Sequence, residues 1–252
     1  ILVLVAWPLA SLLAFYFPVS QPESVTRTIR LMAFNVLETN KRYQETLDLI
    51  AKEDPDVVGL IEFNDRWARA FAGKLEQYPH RVGPILGNII YSKFPLVMRT
   101  TRKELEPPRM IPAMYATFRL DGQLVYFTLV HTTSPRTAGE MLERNSQING
   151  IQTKALYEKA NRHVVVAGDF NATTASRSLQ TMIEVAGLRD SRRGFGLQHS
   201  WPTWCWPLSI CIDHCFVSDG VRIVDHRMGP DVGSDHLPVI IDMSFSGGHV
   251  GN

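Results

Sequence analysis

The chain has 252 residues, 45% of them hydrophobic, which is enough for one large α/β domain, and no linker divides it internally. Lys plus Arg number 26 against 25 Asp plus Glu, so no global positive field draws in a polyanion and charge alone implies no nucleic-acid partner, although a local basic patch stays open. Its three cysteines fall short of the four recurring ligands of a structural zinc site.

Ile1 to Phe17 carry no charged side chain, and Pro8 and Pro18 stand near the ends of this run. It is slightly shorter than the roughly 20 residues of a spanning helix and reads as part of a longer membrane segment, with a signal-peptide core as the alternative. Residues 19–28 form a tether whose first basic residue is Arg27, and this scarcity of Lys and Arg favours an extracytoplasmic domain. Ile29 to Val36 reads as a buried strand. Thr39 or Asn40 is then expected to cap a helix with Tyr43, Leu47, Ile50 and Ala51 on one face, closed by Pro55. The apolar run Asp56 to Glu62 completes a βαβ unit, and a short helix turns Trp67, Phe71 and Leu75 inward.

Leu86 to Ser92, Leu96 to Glu104, Ala113 to Leu120 and Gln123 to His131 read as consecutive strands, with Asp121-Gly122 as a hairpin turn requiring positive φ. A helix is expected over Gly139 to Lys159 with Met141, Ile148, Ile151 and Ala155 in the core. His163 to Gly168, Ser209 to Ser218, Val221 to Met228 and Leu237 to Phe245 read as strands, and Arg177 to Ala186 as a helix. The pattern predicts an α/β fold, a four-layer αββα sandwich of two mostly antiparallel sheets with helices outside.

Asn35, Glu62, His131, the Asp169/Asn171 pair and Asp213 are polar residues at the ends of apolar strands, where a rigid sheet edge holds a side chain in place. In Gly168-Asp169-Phe170-Asn171 the alternation of an extended segment sends Asp169 and Asn171 one way and Phe170 into the core. In Gly233-Ser234-Asp235-His236-Leu237-Pro238, Asp235 and His236 reach one site only from a loop, which Gly233 permits.

These motifs, in this order over Arg30 to Phe245, resemble the endonuclease/exonuclease/phosphatase superfamily. The resemblance implies a metal-dependent phosphoric ester hydrolase with Asn35, Glu62 and Asp235 as metal residues and Mg²⁺, or Mn²⁺, as the cofactor. It makes His131, Asp169, Asn171, Asp213 and His236 catalytic: Asp169 for the attacking water, Asn171 as a donor to phosphoryl oxygens, and His236 oriented by Asp213. Which histidine is the acid, and whether there are one or two metals, stay open. Residues 1–18 are then a partial anchor, 29–246 the catalytic domain and 247–252 a tail. The substrate is a phosphate ester, either nucleic acid or phospholipid; no protein partner is implied, and a binding module on the same fold is the non-enzyme alternative.

His214 is expected to point away from the site, and Arg144 and Gln147 to pair along their helix or tie it to a sheet edge. Trp201, Trp204 and Trp206 could stack on a base, a lipid headgroup or a membrane interface, or cover the core. Arg99, Arg102, Lys103 and Arg109 are expected as a solvated face, with phosphate binding as the alternative. Cys205 and Cys211 could form a disulfide, with three buried thiols as the alternative.

Overall fold

The computed structural model describes residues 15–17, 19–85, 87–99 and 113–247. Strands β1 (Ile29–Asn35), β2 (Val57–Ile61), β3 (His80–Ile85) and β4 (Asn88–Ser92) join β11 (Val221–Met228) and β12 (Val239–Phe245) in one sheet, ordered β11-β12-β1-β2-β4-β3. The other sheet, ordered β5-β6-β7-β8-β10-β9, contains β5 (Leu96–Arg99), β6 (Ala113–Leu120), β7 (Gln123–His131), β8 (His163–Asp169), β9 (Leu188–Asp190) and β10 (Asp213–Ser218). Each sheet has one parallel pair at its centre, β1 with β2 and β7 with β8, and is antiparallel elsewhere.

The sheets face each other across a core that includes Leu31, Ala33, Val57 and Ile241 from one and Phe127, Leu129, Val165 and Ala167 from the other. Helices α1 (Tyr43–Glu53) and α2 (Asp65–Phe71) cover the first sheet, packing on Phe34, Leu60 and Ile240. Helices α3 (Ala138–Lys159) and α4 (Arg177–Ala186) cover the second, packing on Val164, Val166 and Phe216. Apolar residues on both faces of β1, β2 and β8 are thus explained: both faces are buried, and the four-layer sandwich follows.

The Asp121-Gly122 hairpin forms as expected, with φ of 48° and 85°. Several boundaries differ. Arg42, not Thr39 or Asn40, precedes α1, and Asn40 instead accepts the Arg42 N–H in an Asx turn. Thr46, Leu47, Leu49 and Ile50 form the buried stripe of α1, which rotates Ala51 to solvent. Met141 is 44% exposed because α3 begins beyond the edge of its sheet contacts, whereas Ile148, Ile151 and Ala155 are buried. The strand expected from Ser209 begins at Asp213, since Ser209 and Ile210 belong to a preceding loop. The last strand starts at Val239, after Pro238, which has no N–H for the ladder. Strands β3 and β9 were not expected.

All three cysteines are free thiols, so the Cys205–Cys211 bridge does not form; Cys211 and Cys215 are buried and Cys205 is half-buried. No helix among the described residues is long and apolar enough to cross a membrane. Most of the expected anchor, the tail beyond residue 247, and Arg102, Lys103 and Arg109 lie outside the described residues.

Candidate active site

The parallel pairs decide where the site is. Parallel strands end together, so β1 and β2 deliver Asn35 and Glu62 to one rim while β7 and β8 place His131 directly beside Asp169 in register. Strand β10 runs the other way and starts at that rim, with Asp213 opposite Asp169. The loop before β12 brings Asp235 and His236.

Asn35 joins the two sheets: its Nδ2 donates to Glu62 Oε1 at 3.0 Å and to Asp169 Oδ2 at 3.2 Å, while its Oδ1 accepts from Leu37 N at 3.1 Å. It therefore braces two carboxylates with its nitrogen in this arrangement instead of presenting an oxygen between them. Glu62 Oε2 accepts the Glu38 N–H at 3.0 Å, and His131 Nε2 stands 3.8 Å from Glu62 Oε1. Asp169 is buried and its Oδ1 accepts the Asn171 N–H at 2.8 Å. The Asn171 side chain donates to Thr132 O at 2.9 Å, and Phe170 between them is fully buried in the α3/α4 layer. Glu62 and Asn171 adopt φ of 59° and 46°, a left-handed backbone costly for most non-glycine residues and frequent at functional sites.

His236 Nδ1 donates to Asp213 Oδ2 at 2.8 Å, and its Nε2 faces Asp169 Oδ2 at 3.7 Å and Asp235 Oδ1 at 4.0 Å. Burial alone would drive the His236 proton off, but Asp213, with help from Asp169 and Asp235, holds its pKa up at about 10. Asp169 moves the opposite way from a normal carboxyl, up to about 7, through burial and the nearby Asp213 charge, against the pull of His236 and two hydrogen bonds. Burial lowers His131, partly offset by Glu62. His214 lies on the other face of β10, with its ring against Ala172 O at 2.8 Å.

All eight residues singled out by sequence thus stand in one linked cluster. Sequence reading missed their supports. Ser234 Oγ donates to Asn35 O and accepts the His236 N–H, Ser200 Oγ receives the Ile212 and Asp213 N–H groups, and Trp201 Nε1 donates to Asp235 Oδ2. Only Ser234, a turn-forming residue two before His236, carried a local signal. Arg144 reaches the Asn171 carbonyl and Gln147 holds Thr133, so α3 braces the loops that follow β8 and β7.

A metal ion fits this donor set. Asp169, Asp213 and His236 offer ligand atoms within 4.8 Å of one another, and Asp235 Oδ1 is a buried oxygen without a hydrogen-bond partner among the described residues. Because Asp213 already occupies His236 Nδ1, oxygens of Asp235 and Glu62 are the better donors for a hard cation.

The Endonuclease/Exonuclease/phosphatase family model matches residues 32–236, which contain every one of these side chains. The chain belongs to the endonuclease/exonuclease/phosphatase family. Family membership supports a phosphoric ester hydrolase, nuclease-like or phosphodiesterase-like. An endonuclease/exonuclease/phosphatase from Bacteroides vulgatus has a similar structure, with TM-score 0.71 and 17% identity over 87% of this chain and 100% of that one. One from Beutenbergia cavernae gives TM-score 0.65 and 21% identity over 88% of this chain and 72% of that one. D. rerio TDP2 complexed with single strand DNA product gives TM-score 0.70 and 16% identity over 86% and 99%. No curated protein sequence matched.

Proposed function

We propose that this chain is a Mg²⁺-dependent phosphodiesterase, with Mn²⁺ able to substitute, tethered to a membrane by its N-terminal segment with the domain on the extracytoplasmic side. The observation that carries the reaction is the His236 ring, fixed by Asp213 on one nitrogen and facing Asp169 on the other. Held as an imidazolium at neutral pH, His236 acts as a donor to a phosphoryl or leaving-group oxygen. His131, its protonated form disfavoured by burial, is the neutral histidine of the pair. Asp169 is the acceptor for the proton of attacking water, with Asn35 and the Asn171 N–H fixing its two oxygens. The second Nδ2 proton of Asn171 is available for a phosphoryl oxygen. Glu62 and Asp235, with Asn35 beside them, would hold the metal, which when bound offsets negative charge developing on the phosphoryl group.

Phosphodiesters of lipids and of nucleic acids are the two substrate classes. A nucleic-acid reading is supported by the fold likeness to TDP2 solved with a DNA product. The test is hydrolysis of bis(4-nitrophenyl) phosphate by the full chain with Mg²⁺, Mn²⁺ or chelator, beside His236→Ala. Turnover should require metal and fall at least about 100-fold in the variant; metal-independent turnover, or a variant as active as the parent, would refute the assignment.

A further inference from the structure

We propose that the loop from Trp201 to Ile210 docks on a lipid bilayer, so that the rim of the domain bearing the active site is its membrane-facing pole. Trp204 and Trp206 are each 77% exposed, Leu208 70% and Ile210 42%. The loop contains no charged residue. Exposed apolar side chains clustered this closely mark an interaction surface, and tryptophan in particular suits the boundary between water and acyl chains.

The loop is a built element. Its ends pair through Ser200 N and Trp201 N, which both donate to Ile210 O, and through Ile210 N, which donates to Trp201 O; Trp206–Leu208 form a 3₁₀ turn at its tip. It is also fastened to the catalytic loop: Trp201 Nε1 donates to Asp235 Oδ2, Thr203 N to Asp235 O and Thr203 Oγ1 to Ser234 O.

The course of the N-terminal segment argues for a bilayer as the occupant. Val25 N donates to Phe245 O at the end of the sheet opposite the site, where β1 begins. Going back along the chain, Gln21 receives the Ile223 N–H, and Phe15 O receives the Gly194 and Gly196 N–H groups. The Phe15 ring lies 4.8 Å from the Arg192 guanidinium, which reaches Thr174, just past the Asp169 motif. The tether therefore doubles back toward the active-site rim. Phe15, near the end of the sequence's uncharged run, thus meets the domain on residues 192–196, in the same β9–β10 connection that carries the tryptophans. A membrane entered by that run would lie against the exposed loop. The inference rests on the membrane tether proposed above, but on neither the metal nor the reaction.

The test uses the full chain with Trp7→Phe, mixed with phosphatidylcholine vesicles whose acyl chains are plain or brominated. Bromine quenches only tryptophans at acyl depth, and the two remaining tryptophans, Trp67 and Trp201, are buried and half-buried. Emission should fall at least about twofold with brominated lipid, and the quenching should vanish when Trp204→Phe and Trp206→Phe are added, while hydrolysis of bis(4-nitrophenyl) phosphate stays within about twofold. The proposal is overturned if the chain fails to sediment with vesicles, if it sediments without quenching, or if quenching survives the two substitutions. A response to single-stranded DNA or to protein concentration in place of lipid would likewise overturn it, and would reassign the loop to nucleic acid or to a second copy of the chain.

Discussion

Asp213 works from both its side chain and its backbone: the carboxylate holds His236 Nδ1, and the N–H is anchored by Ser200. Asp213→Asn keeps the shape but removes the charge that stabilises the imidazolium, so the His236 pKa should fall from about 10 toward its ordinary value of 6.5. Turnover should drop by roughly 10²–10⁴-fold. The alkaline limb of the pH–rate profile should move to lower pH, a displacement that mere loosening of the loop would not produce. Glu62→Gln should instead raise the divalent-metal concentration for half-maximal rate with little change in thermal midpoint. At this scale the sequence was informative where a polar residue ended an apolar strand, as with Asn35, His131 and Asp169. It was silent on partners brought from afar, such as Trp201 against Asp235, because nothing local to either residue encodes that meeting.

Among the secondary-structure elements, the contact of β7 with β8 is the most demanding. Gly168 has φ of +138° and sits so near the neighbouring strand that an added Cβ would come 2.2 Å from Val130 O. Gly168→Ala should therefore cost about 3 kcal/mol or more, since β7 must move away exactly where His131 and Asp169 are registered. Gly150, in α3 with open space around its Cα, behaves oppositely: Gly150→Ala should stabilise by about 0.5–1 kcal/mol. Urea midpoints of the two variants check both signs. Long, strongly patterned elements such as α4 and β7 were legible to the residue. Strand β3 was hidden because Gly83-Pro84 interrupts its pattern and it lies at a sheet edge, half-exposed. Strand β9 has only three residues and exists through its pairing with β10.

Across the whole molecule, acid sensitivity should come from buried imidazoles outside the reaction. Burial pushes His214 down to about 4 and His226 to about 3, from an ordinary 6.5. Below pH 6.5 the unfolded chain takes up these protons and the folded one does not, so stability is complete above that pH and declines as pH falls toward 4. His226 is surrounded by Ser191 and Phe195. His226→Phe should flatten the stability difference between pH 7.5 and pH 5 by up to about 2 kcal/mol, measured by urea unfolding at both pH values. The fold class was readable from the alternation of strands and helices, but the strand order was not, because pairing of β1 with β12 spans nearly the full domain.

That pairing also sets a schedule for synthesis. Strands β5 to β10 come from one continuous stretch, whereas β1 lies between β2 and a strand made last, residues 239–245. On the ribosome, one flank of β1 stays unpaired until the final strands emerge, and the same late segment brings Asp235 and His236. An incomplete nascent chain thus carries an open strand edge and no assembled reaction centre, which makes it prone to aggregation yet incapable of premature hydrolysis.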